Sequence, residues 1–129
     1  MPIRILIIGY GDLSEKQKQI LLKHFGEYII VEHIRILDDI NLRRIKPTNM
    51  CKEPGEGEEK GICVDAVVFL KVLAKPAVEL LKRGIRVYDF EVVHSPNGRG
   101  DLHDGMGKTI GLREYRLSPK PAMRWVYAE

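Results

Sequence analysis

Ile3-Arg4-Ile5-Leu6-Ile7-Ile8-Gly9-Tyr10-Gly11-Asp12-Leu13-Ser14 is the stretch on which the fold turns. Its apolar run is branched and too short for a helix, which predicts a strand buried on both faces. Gly9 and Gly11 remove two side chains where the chain must bend sharply. Ser14, with Gln17 three residues later, makes a capping box and starts a helix. That helix aims its first N–H groups and the positive end of its dipole at the space above the strand, where phosphate binds well. Nucleotide-binding α/β domains open in this way.

Downstream, Glu15 to Phe25 sets Ile20, Leu21, Leu22 and Phe25 against Lys16, Lys18, Gln19 and Lys23, an amphipathic surface helix that Gly26 stops. Tyr28 to Leu37 reads as a second strand with one wetter face, and Asp38 caps a short helix through Ile45. Lys46 to Gly61 holds two prolines, three glycines and four glutamates, so it reads as an exposed insertion loop. Val64 to Leu70 is a further buried strand, Ala74 to Arg83 a helix closed by Gly84, and Ile85 to Val93 a fourth strand. Strand and helix alternating in this way need crossovers, which predicts an α/β fold, a Rossmann-like, mostly parallel sheet with flanking helices. His94 to Lys108 is polar and glycine-rich, a long loop that a ligand could order. Thr109 to Leu117 and Ala122 to Ala128 then read as a C-terminal β-hairpin at a sheet edge or across a subunit interface.

The bulk properties fit one domain: 129 residues are enough to bury about two-thirds of the unfolded surface. A composition that is 44% hydrophobic and 30% charged is that of a globular chain. The net charge of +3 is too small to signal genomic nucleic-acid binding, but it permits a small anionic ligand. No signal-peptide pattern opens the sequence and no apolar run is long enough to span a bilayer, so no membrane association and a cytoplasmic location are expected. Cys51 and Cys63 lack metal-ligand spacing, and they are expected to stay reduced.

Gly9-Tyr10-Gly11 matches the first half of a dinucleotide fingerprint, but Ser14 holds the third glycine position and no acid ends the second strand before Asp38. The turn therefore reads either as a phosphate contact or as a bend that merely starts the helix. Gly105-Met106-Gly107-Lys108-Thr109 invites a P-loop reading, yet Leu102 stands where that loop needs glycine, and an extended segment follows instead of a helix. What survives is an anion-binding loop of small residues beside Lys108, Arg99 and His103. His94 and His103 have the side chain for acid or base work near neutral pH, whereas His24 and His33 read as surface residues. Arg113, Arg116 and Arg124 read as a solvated strand face.

Two segments carry a resemblance. Gly11-Asp12-Leu13-Ser14 with Gln17 is similar to the Leu-Ser/Thr-x-x-Gln opening of several small accessory proteins encoded with type III CRISPR systems. Leu102-His103 through Met106-Gly107, followed by Ile110 and Arg113, resembles the late Leu-His-x-x-Met-Gly loop of one such family. Where those proteins often have Ser-His in the first turn this chain has Gly11-Asp12, and the acidic insertion is foreign to the pattern.

The resemblance implies a Rossmann-like homodimer that binds cyclic oligoadenylate across its two-fold axis, either sequestering the messenger or cleaving the ring without metal through a 2′-hydroxyl. On this expectation Gly9, Tyr10, Gly11, Asp12, Leu13, Ser14, Lys71, Asn97, Arg99, Gly105, Met106 and Gly107 bind the ligand. Tyr10 stacks on adenine, and His103 and Lys108 form the catalytic pair, with no cofactor and no metal ion. The rival expectations are an α/β enzyme using a mononucleotide and a non-catalytic module whose hairpin pairs with a protein partner.

Overall fold

The opening apolar run forms β1 (Ile3–Ile8), whose last four residues are buried. Residues 2–51, 60–93, 108–117 and 122–128 are described by the structure, a computed structural model. After the glycine turn, α1 (Glu15–Phe25) starts behind a full capping box: the Gln17 N–H donates to the Ser14 hydroxyl and the Ser14 N–H donates to the Gln17 side chain. Then come β2 (Tyr28–Ile34) and α2 (Asp39–Arg44), the latter capped by the Asp38 carboxylate on the Asn41 N–H. A short β3 (Ile45–Pro47) and one 3-10 turn (Thr48–Met50) precede β4 (Ile62–Val64) and β5 (Ala66–Phe69). The chain continues through α3 (Ala74–Lys82), β6 (Arg86–Val93), β7 (Lys108–Arg116) and β8 (Ala122–Ala128).

Six strands make one sheet in the order β2-β1-β5-β6-β7-β8, and β3 pairs with β4 in a separate parallel ribbon. Strands β2, β1, β5 and β6 run parallel; β7 and β8 are antiparallel additions. The fold is thus mixed α/β with a mixed sheet, parallel on one side and closed on the other by the expected hairpin. Strand alternation sends side chains to both faces, and each face is covered. Ile20 and Leu21 of α1 pack with Ile5, Ile7, Val68, Tyr88 and Leu112 on one face. Ala77 and Leu80 of α3 pack with Leu6, Ile8, Val67, Phe69 and Val87 on the other. Arg83, just past α3, donates to the Leu42 and Ile45 carbonyls and so ties α3 to the end of α2.

Two expectations fail in the middle of the chain. The stretch read as an exposed insertion loop, Lys46 to Gly61, carries the end of β3 and the 3-10 turn, and the cysteines expected to stay reduced, Cys51 and Cys63, form a disulfide with Cα atoms 6.1 Å apart. The parallel pairing sets Lys46 beside Cys63, and the tight turn after Pro47 carries Cys51 back to it. Residues 52–59 of that insertion lie outside the described residues. The strand read as Val64 to Leu70 is present as β5, but Val64 instead ends β4, because the chain changes sheets at Asp65, whose carboxylate accepts from the Arg4 N–H while its own N–H donates to the Arg4 carbonyl.

Strand β1 lies between β2 and β5, so the chain leaves its end toward one neighbour and later returns on the opposite side. In open sheets this divergence of connections leaves a crevice beyond the carboxyl ends of the strands.

Candidate functional site at the carboxyl ends of the parallel strands

A cleft of about 970 Å³ occupies that crevice. Its floor is the glycine turn after β1, from Gly9 to Asp12, with Arg35 to Leu37 after β2 and Leu70 to Leu73 after β5. Phe69 pairs with Asp89, so the last four residues of β6 run beyond the end of β5 and stand up as a wall. That wall presents Asp89, Phe90, Glu91 and Val92 to the cleft, with Arg113 of β7 behind them.

The turn is held firmly. The Gly9 N–H donates to the Ile34 carbonyl, and the Gly9 carbonyl receives a hydrogen bond from His33 Nε2 at 2.7 Å. A carbonyl only accepts, so this contact fixes the proton on Nε2 of His33. His33, read as a surface residue, is half-buried and anchors the turn. A Cβ on Gly9 would lie 2.7 Å from the Leu70 Cβ, whereas the space beside Gly11 is open. The Gly9 and Ser14 N–H groups are already committed, to the Ile34 carbonyl and the Gln17 side chain. Tyr10 is 68% exposed at the mouth.

The wall is ionic. Asp89, 2% exposed, accepts from Arg113 Nε at 2.9 Å and Nη2 at 2.7 Å, a two-pronged pair. The Tyr115 hydroxyl donates to Asp89 Oδ2 at 3.1 Å, and Arg113 Nη1 also reaches the Glu91 carboxylate. The guanidinium carbon stands 5.7 Å from the centre of the Trp125 ring, which supports it from β8. Hydrogen bonding to Asp89 raises the Arg113 pKa, while burial, followed by the negative charge of Asp89, pushes Tyr115 up to about 12. The expectation that Arg113 lies on a solvated strand face is therefore overturned. Glu114 does sit between Arg116 and Arg124, at 2.9 and 3.7 Å.

Of the ligand-binding residues expected from sequence, the cleft brings together Gly9, Tyr10, Gly11, Asp12 and Lys71. Leu13 and Ser14 do not join its lining: Leu13 packs on the core beneath α1, and the Ser14 hydroxyl is spent on the cap. Lys108 is exposed at the start of β7, next to Thr109, whose hydroxyl accepts from the cleft residue Gln17 at 3.1 Å. Asn97, Arg99, His103, Gly105, Met106 and Gly107, with His94, lie outside the described residues. Sequence reading missed the acidic wall, although Asp89 and Glu91, two apart in a strand otherwise apolar from Val87 to Val93, are a signal for one polar face.

A smaller cavity of about 380 Å³ lies between Ile40, Arg43, Arg44, Lys46 and Gly61. Arg44 there is committed to the Lys60 carbonyl and the Asn41 side chain. Among the described residues no group of three or more His, Cys, Asp or Glu side chains is arranged to hold a metal ion, and no helix is long and apolar enough to cross a membrane.

No protein-family model, no curated protein and no solved structure matches the chain.

Proposed function

We propose that the cleft is a nucleotide site of Rossmann-like type, and that its ligand is a cyclic oligoadenylate, most simply cyclic tetra-adenylate, held by a homodimer. The observation that carries this reading is the position of the cleft: it opens where the connections above β1 and β5 diverge, with a glycine turn on its floor and Gln17 of α1 in its lining. Apolar Ile36, Leu70, Val72 and Leu73 suit bases, and Tyr10 at the mouth offers a ring for stacking. Arg35 and Lys71 supply positive charge on the floor.

A cleft of about 970 Å³ is the size of a site for one drug-sized ligand, and a ring of four nucleotides asks for more. Two such clefts facing across a two-fold axis supply it. The segment 94–107 joins β6 to β7, so its two ends, Val93 and Lys108, are paired beyond the end of β5, on the side of the sheet where the turn lies. That arrangement supports a role for His103 and Lys108 over the ligand, with sequestration as the basal activity and metal-independent cleavage at a 2′-hydroxyl as its extension.

A thermal-shift panel of cyclic tetra- and hexa-adenylate, ATP, NAD and AMP tests this reading. A ligand at 100 times its Kd stabilises by about 2.7 kcal/mol, readily seen as a rise in Tm. The cyclic ring is expected to raise Tm and Lys71→Ala to shrink the rise; no rise with any nucleotide refutes the reading. A rise with ATP or NAD alone favours the mononucleotide enzyme.

A further inference from the structure

The cleft is electrically lopsided. Its floor carries Arg35 and Lys71 against one carboxylate, Asp12. Its wall sets two carboxylates, Asp89 and Glu91, against one guanidinium, each of whose three nitrogens already meets one of them. A phosphate cannot approach that wall without meeting net negative charge, whereas a hydroxyl can donate to it. We propose that Glu91 reads a ribose hydroxyl of the ligand, with Asp89, Arg113 and Trp125 acting as positioning residues that hold its carboxylate in place. This inference rests on the nucleotide reading of the cleft and deepens it.

Three features make the wall suited to recognition as well as to packing. Asp89 is buried and bonded by Arg113 at two points and by Tyr115 at a third, so it is a fixed support. Arg113 is clamped between that carboxylate and the Trp125 ring, and its remaining terminal nitrogen holds Glu91. The Glu91 side chain keeps 30% of its surface exposed and lines the cleft, so its carboxylate is both oriented and reachable. Between wall and floor lies β5, two strand spacings or about 10 Å from β1 to β6, within the reach of one nucleotide whose phosphate sits on the turn.

The test compares two rings by calorimetry: cyclic tetra-adenylate, and the ring with the same bases and phosphates but 2′-deoxyribose. The wild-type protein is expected to bind the deoxy ring about ten- to a hundredfold more weakly, the value of a hydrogen bond to a charged group. Glu91→Gln should weaken the ribose ring by a similar factor and leave the deoxy ring unchanged. Equal wild-type affinity for both rings overturns the assignment to Glu91 while leaving nucleotide binding intact, as does an equal loss on both rings in Glu91→Gln when that variant melts like wild type. Should Glu91→Gln melt early, the wild-type comparison of the two rings decides alone. Heat from neither ring, with no nucleotide raising Tm, overturns both this inference and the reading beneath it.

Discussion

Gly9 and Gly11 stand two residues apart in one turn and answer to different constraints. Both have positive φ, +138° and +87°, but only Gly9 has a neighbour in the way, the Leu70 side chain at the end of β5. Gly9→Ala combines backbone strain with an overlap at Leu70, and is expected to cost about 3 kcal/mol or more. Gly11→Ala meets open space and costs only the conformational penalty, about 1–2 kcal/mol. Urea denaturation of the two variants measures the difference, and equal losses would contradict the packing role of Gly9. The glycine pair itself is legible in the sequence, because a turn between an apolar strand and a capping box needs such residues. The division of labour is not, since Leu70 and His33 reach the turn only when β5 and β2 flank β1.

At the scale of elements, local patterns name helices and strands well, and pairings between distant segments escape them. The cap at Ser14 lies within a few residues of what it specifies and appears as read, and Ile20 and Leu21 of α1 turn inward as expected, whereas Leu22, read on the same side, is 56% exposed and Gln17 is buried. Arg113 shows the opposite case: as one of three arginines alternating with apolar residues it looks solvated, but antiparallel register sets it across from buried Asp89. The cysteines escape for the same reason, because only the β3–β4 ribbon brings Cys51 to Cys63. With its ends 12 positions apart, this crosslink removes loop entropy from the unfolded chain worth about 3 kcal/mol. Reduction, or Cys51→Ser with Cys63→Ser, should therefore lower Tm by about 10 °C. Identical melting with and without reductant would show that the crosslink contributes nothing to the folded state.

Across the whole molecule, the two covered faces of the sheet set the pH range in which it is stable. On the α1 face the His24 and Tyr88 rings lie 5.3 Å apart, between helix and sheet. Burial lowers the His24 pKa below 6.5, Glu114 opposing and Arg86 and Arg124 assisting, so the folded state resists a proton that the unfolded chain accepts. Stability is then complete above pH 6.5 and falls as pH drops through the window between that value and the lowered one. Tyr88 on the same face is pushed up to about 12, first by burial and then by its hydrogen bond to Glu114. Tyr115 on the opposite face reaches about 12 through burial and the charge of Asp89. For both phenols the unfolded chain loses its proton near 10 while the folded state keeps it, so stability declines as pH rises from 10 toward 12. Melting curves from pH 5 to 11.5 should trace a plateau with two falling limbs. His24→Phe keeps an aromatic ring in the cluster and removes the titration, so it should flatten the limb below pH 6.5 while leaving the alkaline limb in place. An acid limb equally steep in His24→Phe would move its origin to other groups, and a plateau unbroken to pH 11.5 would mean that neither phenol is held as the packing of the two faces requires.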